Sequence, residues 1–156
     1  MSSPITIRIQ AEAFDAAKET EALRAPEEDV GAVATFIGYC RSEGGRLAAL
    51  ELEHYPGMAE DEIRRVVDDA TKRWPLSAIR IIHRYGLMKP GEGIVFVGTA
   101  STHRSEAFAA CEFLMDYLKT RAPFWKKEHR ADGTIGEWVE AKAVDDAAAA
   151  RWGRGN

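Results

Sequence analysis

Cysteine is nearly absent: Cys40 and Cys111 are the two in 156 residues, and neither belongs to a CxxC pair or has a histidine at metal-ligand spacing. That excludes a disulfide framework and leaves no signal for a metal centre. Long apolar runs are missing too, since stretches such as IVFV at 94–97 are far too short to cross a bilayer. The opening MSSPITIRIQ has neither the basic start nor the apolar stretch of a secretory signal, so the expectation is a cytoplasmic protein. Positive charge is not in excess: 21 Lys and Arg stand against 25 Asp and Glu, a formal net charge of −4. A general nucleic-acid binder is therefore not expected, and any anion site must be local. There is no internal repeat, no G-x-G-x-x-G, no phosphate-binding P-loop and no recognisable Ser or Cys triad motif.

What is present suits one globular domain over residues 1–156, with 46% hydrophobic and 29% charged residues. Ile5, Ile7 and Ile9 alternate as in a half-buried strand, and residues 14–24 read as a helix stopped before Pro26. VGAVATFIGY and LAALELEHY are β-rich, the second ended by Pro56-Gly57. Ile63, Val66, Val67, Ala70 and Trp74 fall at helical spacing, with acids early, Lys72 and Arg73 late, and Pro75 as a stop. AIRIIHRY (78–85) and IVFVGTA (94–100) read as neighbouring strands, and a long apolar helix is expected from about 105 to 120. Beyond Pro123, FWKKEH and EWVEAK flank the Asp132-Gly133 turn and read as a terminal pair of strands. The tail DDAAAAR with Trp152 reads as a short helix before a frayed end at 153–156. Hairpins instead of regular βαβ alternation favour an α+β fold.

Three stretches could carry chemistry. Ser101-Thr102-His103-Arg104 joins a strand to a helix, where unpaired N–H groups and the helix dipole favour an anion; the plainer reading is a cap with His103 and Arg104 in solvent. DYLKTRAPFWKKEH (116–129) gathers Lys119, Arg121, Lys126 and Lys127 around a proline and two aromatics. A lone Lys119 in a last helical turn needs no function, yet the break at Pro123 can bring Lys126 back beside it, giving a pair of interacting amines near an aromatic platform. The third is Gly38-Tyr39-Cys40-Arg41, a strand end followed by SEGGR: Arg41 could contact an anion, whereas Cys40 reads more simply as a small apolar core residue than as a nucleophile. His54, His83 and His129 are scattered, with His54 a core or turn residue. A helix over 105–120 is about 24 Å long, so His103 and Lys119 of one chain sit at its opposite ends. A site using both requires a second copy.

LEHYPGM, WPL, IHRYG, the PGEGIVFVG stretch, S-x-HR-S-x-AF and above all MDYLKTRAPFWKKE, in this order and spacing, resemble the family of large, catalytic subunits of molybdopterin synthase. The resemblance runs from about Val33 to Trp152. It implies a hammerhead-type α+β fold with a mixed sheet and packed helices, a homodimeric core, and a small ubiquitin-like sulfur carrier at each end, making a heterotetramer. It also implies the activity: sulfur transfer from the carrier's C-terminal Gly-Gly thiocarboxylate, twice, to cyclic pyranopterin monophosphate, giving molybdopterin for molybdenum cofactor biosynthesis. By position the catalytic lysines fall on Lys119 and Lys126. Substrate-binding positions fall on Tyr39, Cys40, Arg41, His103, Arg104, Lys127 and Glu128, although the family often has a basic residue where this chain has Tyr39. Neither a metal nor a resident cofactor is implied. A competing expectation is a non-catalytic module that binds phosphorylated ligands or single-stranded RNA through FWKK; a plainer one is an interaction protein dimerising through the helix at 105–120.

Overall fold

The computed structural model describes residues 4–24, 28–121, 124–140, 150 and 152–153. Pro26, Pro123, most of the expected tail helix and the last two residues of EWVEAK lie outside them. Ten elements follow in order: β1 (Ile5–Gln10), α1 (Ala16–Arg24), β2 (Ala32–Tyr39), β3 (Leu47–His54), α2 (Met58–Arg73), β4 (Ala78–Arg84), β5 (Gly86–Met88), β6 (Gly93–Ser101), α3 (Arg104–Thr120) and β7 (Phe124–Arg130). The fold is α+β, as expected.

The strands form two sheets, one of four in the order β1-β4-β6-β2 and one of three in the order β5-β3-β7. The larger is mixed, with β1 parallel to β4 and the remaining pairs antiparallel. Its central strands are covered on both faces, which explains why β6 reads as a continuous apolar run. Strand alternation sends Ile79, Ile81, Val95 and Val97 into one core with Ile63, Val67 and Leu114 of α2 and α3. Ala78, Ile82, Phe96 and Ala100 point the other way, against Leu23 of α1.

Local chemistry sets the boundaries. Asp15 Oδ1 accepts from the N–H groups of Ala17 and Lys18 at 3.0 and 3.2 Å, starting α1. Gly57, at φ 86°, precedes α2 and donates its N–H to Glu60 Oε1 at 2.7 Å. α2 stops one residue before Trp74, whose N–H still donates to Ala70 O at 3.0 Å. Glu19 of α1, buried, meets Arg80 of β4 at 2.7 Å and also pairs with Arg8 of β1, tying the helix to both strands.

β4 and β6 do lie side by side, but the chain between them first contributes β5 to the other sheet, against β3. After the turn at Asp132-Gly133, the final stretch returns antiparallel to β7 through two isolated bridges, His129 to Ile135 and Lys126 to Val139, where a second strand was expected. The apolar residues of α3 are mostly spent inside this chain, with Phe113, Leu114 and Leu118 buried and Phe108 exposed; the helix is a core element before it is an interface. No described helix is long and apolar enough to cross a membrane.

Candidate active site

β2, β3 and β7, with the end of α3, enclose a cavity of about 220 Å³ where the two sheets meet. Met115, Leu118 and Lys119 of α3 reach it together, as residues three and four apart on one helical face must. Lys126 arrives from β7, paired with Leu52 of β3, and both side chains are on the wall. Lys119 is exposed and Lys126 half-buried. The two lysines, one from α3 and one from β7, therefore share one cavity with apolar walls from Phe36, Leu50 and Val95.

His83 is also on this wall, and the sequence reading passed over it. Its position follows from the two-residue period of β4, which sends residues 79, 81 and 83 toward α3; that alternation was the available signal. Its ring stacks on Phe124 with centroids 3.8 Å apart and an interplanar angle of 16°. Burial pushes the imidazole down to about 4, opposed by a hydrogen bond to Arg84 O and reinforced by the nearby charges of His54 and Lys119. Met115 and Glu140 line the cavity as well and were likewise not singled out.

The other expected residues are more dispersed. Tyr39 lines the cavity and is 56% exposed. Cys40, one residue on, does not: it is buried at 3% exposure, with Sγ 3.6 Å from Met88 O. Its N–H donates to Glu92 O at 2.9 Å and its carbonyl accepts from Gly91 N at 2.8 Å. Burial raises the thiol above its usual range. The Cys40 side chain packs with Leu52 and Met88 in a small core cluster, which leaves its backbone as the part of it nearest to solvent-facing Tyr39 and Arg41 in sequence. Arg41 projects into solvent, its side chain 78% exposed and 3.8 Å from the Glu43 carboxylate.

Lys127 and Glu128 lie on opposite faces of β7. Lys127 Nζ sits 4.5 Å from the centroid of the Trp138 ring. Glu128 accepts two hydrogen bonds from Arg46 at 3.0 and 2.8 Å, and these, with the guanidinium charge, hold its carboxyl down at about 2. FWKK is therefore not a continuous basic aromatic platform. Phe124 and Lys126 turn one way and Lys127 the other, which removes the geometric basis for the single-stranded RNA module.

His103 is the residue before α3 and makes no side-chain cap, while Arg104 begins the helix; both are exposed. Ser101 does not cap the helix either, since its hydroxyl donates to Pro75 O at 2.7 Å. The corner is tightly built: a Cβ on Gly31 would lie 2.1 Å from Thr102 O. It stands at the far end of α3 from Lys119, about 24 Å along the axis, so one chain does not unite the two ends. Among the described residues no group of three or more His, Cys, Asp or Glu could hold a metal ion.

Residues 9–121 match the model of the family described as MoaE protein. The molybdopterin synthase catalytic subunit of Rhizobium meliloti is 57% identical over 154 residues, 99% of each chain. That of Mesorhizobium japonicum is 60% identical over 147 residues, 94% of this chain and 92% of its own. Among solved structures, the molybdopterin biosynthesis MoaE protein from Burkholderia ambifaria is 51% identical, covers 96% of this chain and 98% of its own, and superposes with a TM-score of 0.83. With the family's model spanning well over half of the chain and relatives above half identity along nearly all of it, the chain belongs to the MoaE family of molybdopterin synthase catalytic subunits.

Proposed function

We propose that this chain catalyses the two sulfur transfers that convert cyclic pyranopterin monophosphate to molybdopterin. The donor is the C-terminal thiocarboxylate of a small ubiquitin-like carrier, and the reaction takes place in the cytoplasm. The observation that carries the reading is the shared cavity of Lys119 and Lys126. Two cationic side chains on an otherwise largely apolar wall attract a thiocarboxylate and a phosphorylated heterocycle to the same place, and act more strongly on charge once those ligands displace water. Lys119 supplies or removes protons and stabilises charge as the cyclic phosphate opens, with Lys126 assisting. Sulfur comes from the carrier, so the buried thiol of Cys40 takes no part.

His103 and Arg104, at the other end of α3, serve the phosphate in a neighbouring copy, so that each working cavity combines two chains in a homodimer. Tyr39 lines the cavity, whereas Arg41, Lys127 and Glu128 lie outside its wall. Arg41 adds positive potential at the strand end, and the Glu128–Arg46 pair fixes the β7 edge. Reconstitution with the thiocarboxylated carrier and the cyclic pterin tests the reading: dithiolene product is expected, and its absence with a folded, carrier-bound protein contradicts it.

A further inference from the structure

The cavity is rich in donors. The lysine ammonium groups have hydrogens to give and no lone pair to offer, whereas the edge of a pterin ring carries N–H groups that need acceptors. Two acceptors on the wall, Tyr39 and Glu140, are exposed residues that water already satisfies. His83 is the half-buried one. Its Nδ1 lies 2.8 Å from Arg84 O; facing a carbonyl, that nitrogen must be the protonated one, so in the neutral ring Nε2 carries the lone pair. Nε2 has no hydrogen-bond partner among the described residues.

The ring is held from two directions. Phe124 covers one face, and Phe124 is in turn stacked on His54, with centroids 5.7 Å apart and planes at 27°. Arg84, whose carbonyl anchors Nδ1, is itself tied by its guanidinium to Ala11 O at 3.0 Å and Gly93 O at 3.3 Å. This is a preorganised acceptor in a compartment of donors. A charged imidazole there would add a third cation and remove the lone pair, and burial keeps it neutral.

We propose that His83 is a substrate-contacting residue of this cavity, its Nε2 lone pair accepting a hydrogen bond from an N–H of the bound pterin ring. The inference rests on the functional reading above and adds to it the group that recognises the heterocycle, as distinct from the phosphate.

The test uses the full chain and neopterin monophosphate, a pterin with one phosphate, with affinity read by calorimetry alongside KM and kcat in the reconstituted reaction. His83→Phe keeps a flat ring for the Phe124 stack and deletes the acceptor; it should weaken pterin binding about tenfold and raise KM in proportion. His83→Gln, whose amide oxygen reaches the Nε2 position, should recover most of that loss. Inorganic phosphate should bind all three proteins alike. Unchanged pterin affinity in His83→Phe, or equal weakening in both variants, overturns the inference while leaving the sulfur-transfer reading intact. A wild-type protein that neither binds the pterin nor makes product sinks the reading itself. Nitrogen NMR of labelled histidine in the unmutated protein supplies a readout independent of folding defects: an unprotonated Nε2 at neutral pH is expected, and an Nε2–H overturns the inference.

Discussion

His83 and Phe124 face each other nearly in parallel, 3.8 Å between ring centroids and 16° between planes, joining the end of β4 in the larger sheet to the start of β7 in the smaller. The contact spans the seam where the cavity opens, and it buries a titratable ring.

That burial gives stability a pH dependence of known sign. The folded imidazole is held down at about 4, while an unfolded histidine titrates near 6.5. Between these values the unfolded chain binds more protons, so stability rises with pH across the window and is lost as pH falls from about 6.5 to 4. Denaturant melts of wild type and His83→Phe across that range should differ by a slope amounting to about 2–3 kcal/mol in total, flat above pH 7. Parallel curves would show that His83 does not titrate as its burial requires.

Glu19 bridges α1 to β1 and β4, with its side chain 10% exposed and that of Arg80 20% exposed. Glu19→Gln leaves two guanidinium groups facing a neutral amide, that of Arg80 mostly buried and that of Arg8 43% exposed. A loss of about 2–3 kcal/mol is expected in thermal or urea unfolding, with activity per folded molecule near wild type, because the cluster lies on the face of the sheet opposite α3. A loss below about 0.5 kcal/mol would mean that solvent already screens the pair.

Much of this architecture was legible. Residue spacing located α2 within a few positions because its apolar stripe, acidic start and basic end agree with one another, and the alternation of Ile5, Ile7 and Ile9 marked β1. β5 was not legible: three residues are too few for a period, and Gly86–Met88 forms a strand because β3 offers an unpaired edge. The partition into two sheets depends on distant pairings that no local pattern encodes. In the site, Lys119 and Lys126 stood out by their company, whereas His83 was hidden in an apolar strand and Cys40 drew attention by its chemistry although its burial makes it inert.

Cys40→Ser should keep most of the sulfur-transfer activity, since the thiol is buried 3.6 Å from Met88 O and Cys40 is not on the cavity wall. A stability cost of about 1 kcal/mol is expected from placing a hydroxyl in this small apolar cluster. Near-complete loss of turnover in a folded variant would return the cysteine to the mechanism.

The separation of Arg104 from Lys119 along α3 makes complementation a quantitative test. Alone, Arg104→Ala and Lys119→Ala homodimers should each be nearly inactive. After subunit exchange, half of the dimers carry one intact composite cavity, so about a quarter of wild-type activity should return. No recovery despite demonstrated exchange would place both residues' roles within a single chain.

The central claim, that the cavity shared by Lys119 and Lys126 performs the chemistry, is tested most directly by single-turnover dithiolene formation with Lys119→Ala, thiocarboxylated carrier and cyclic pterin. The expected result is a folded, dimeric, carrier-binding protein with product formation reduced by at least about 10²-fold. Wild-type turnover by that variant would contradict the account.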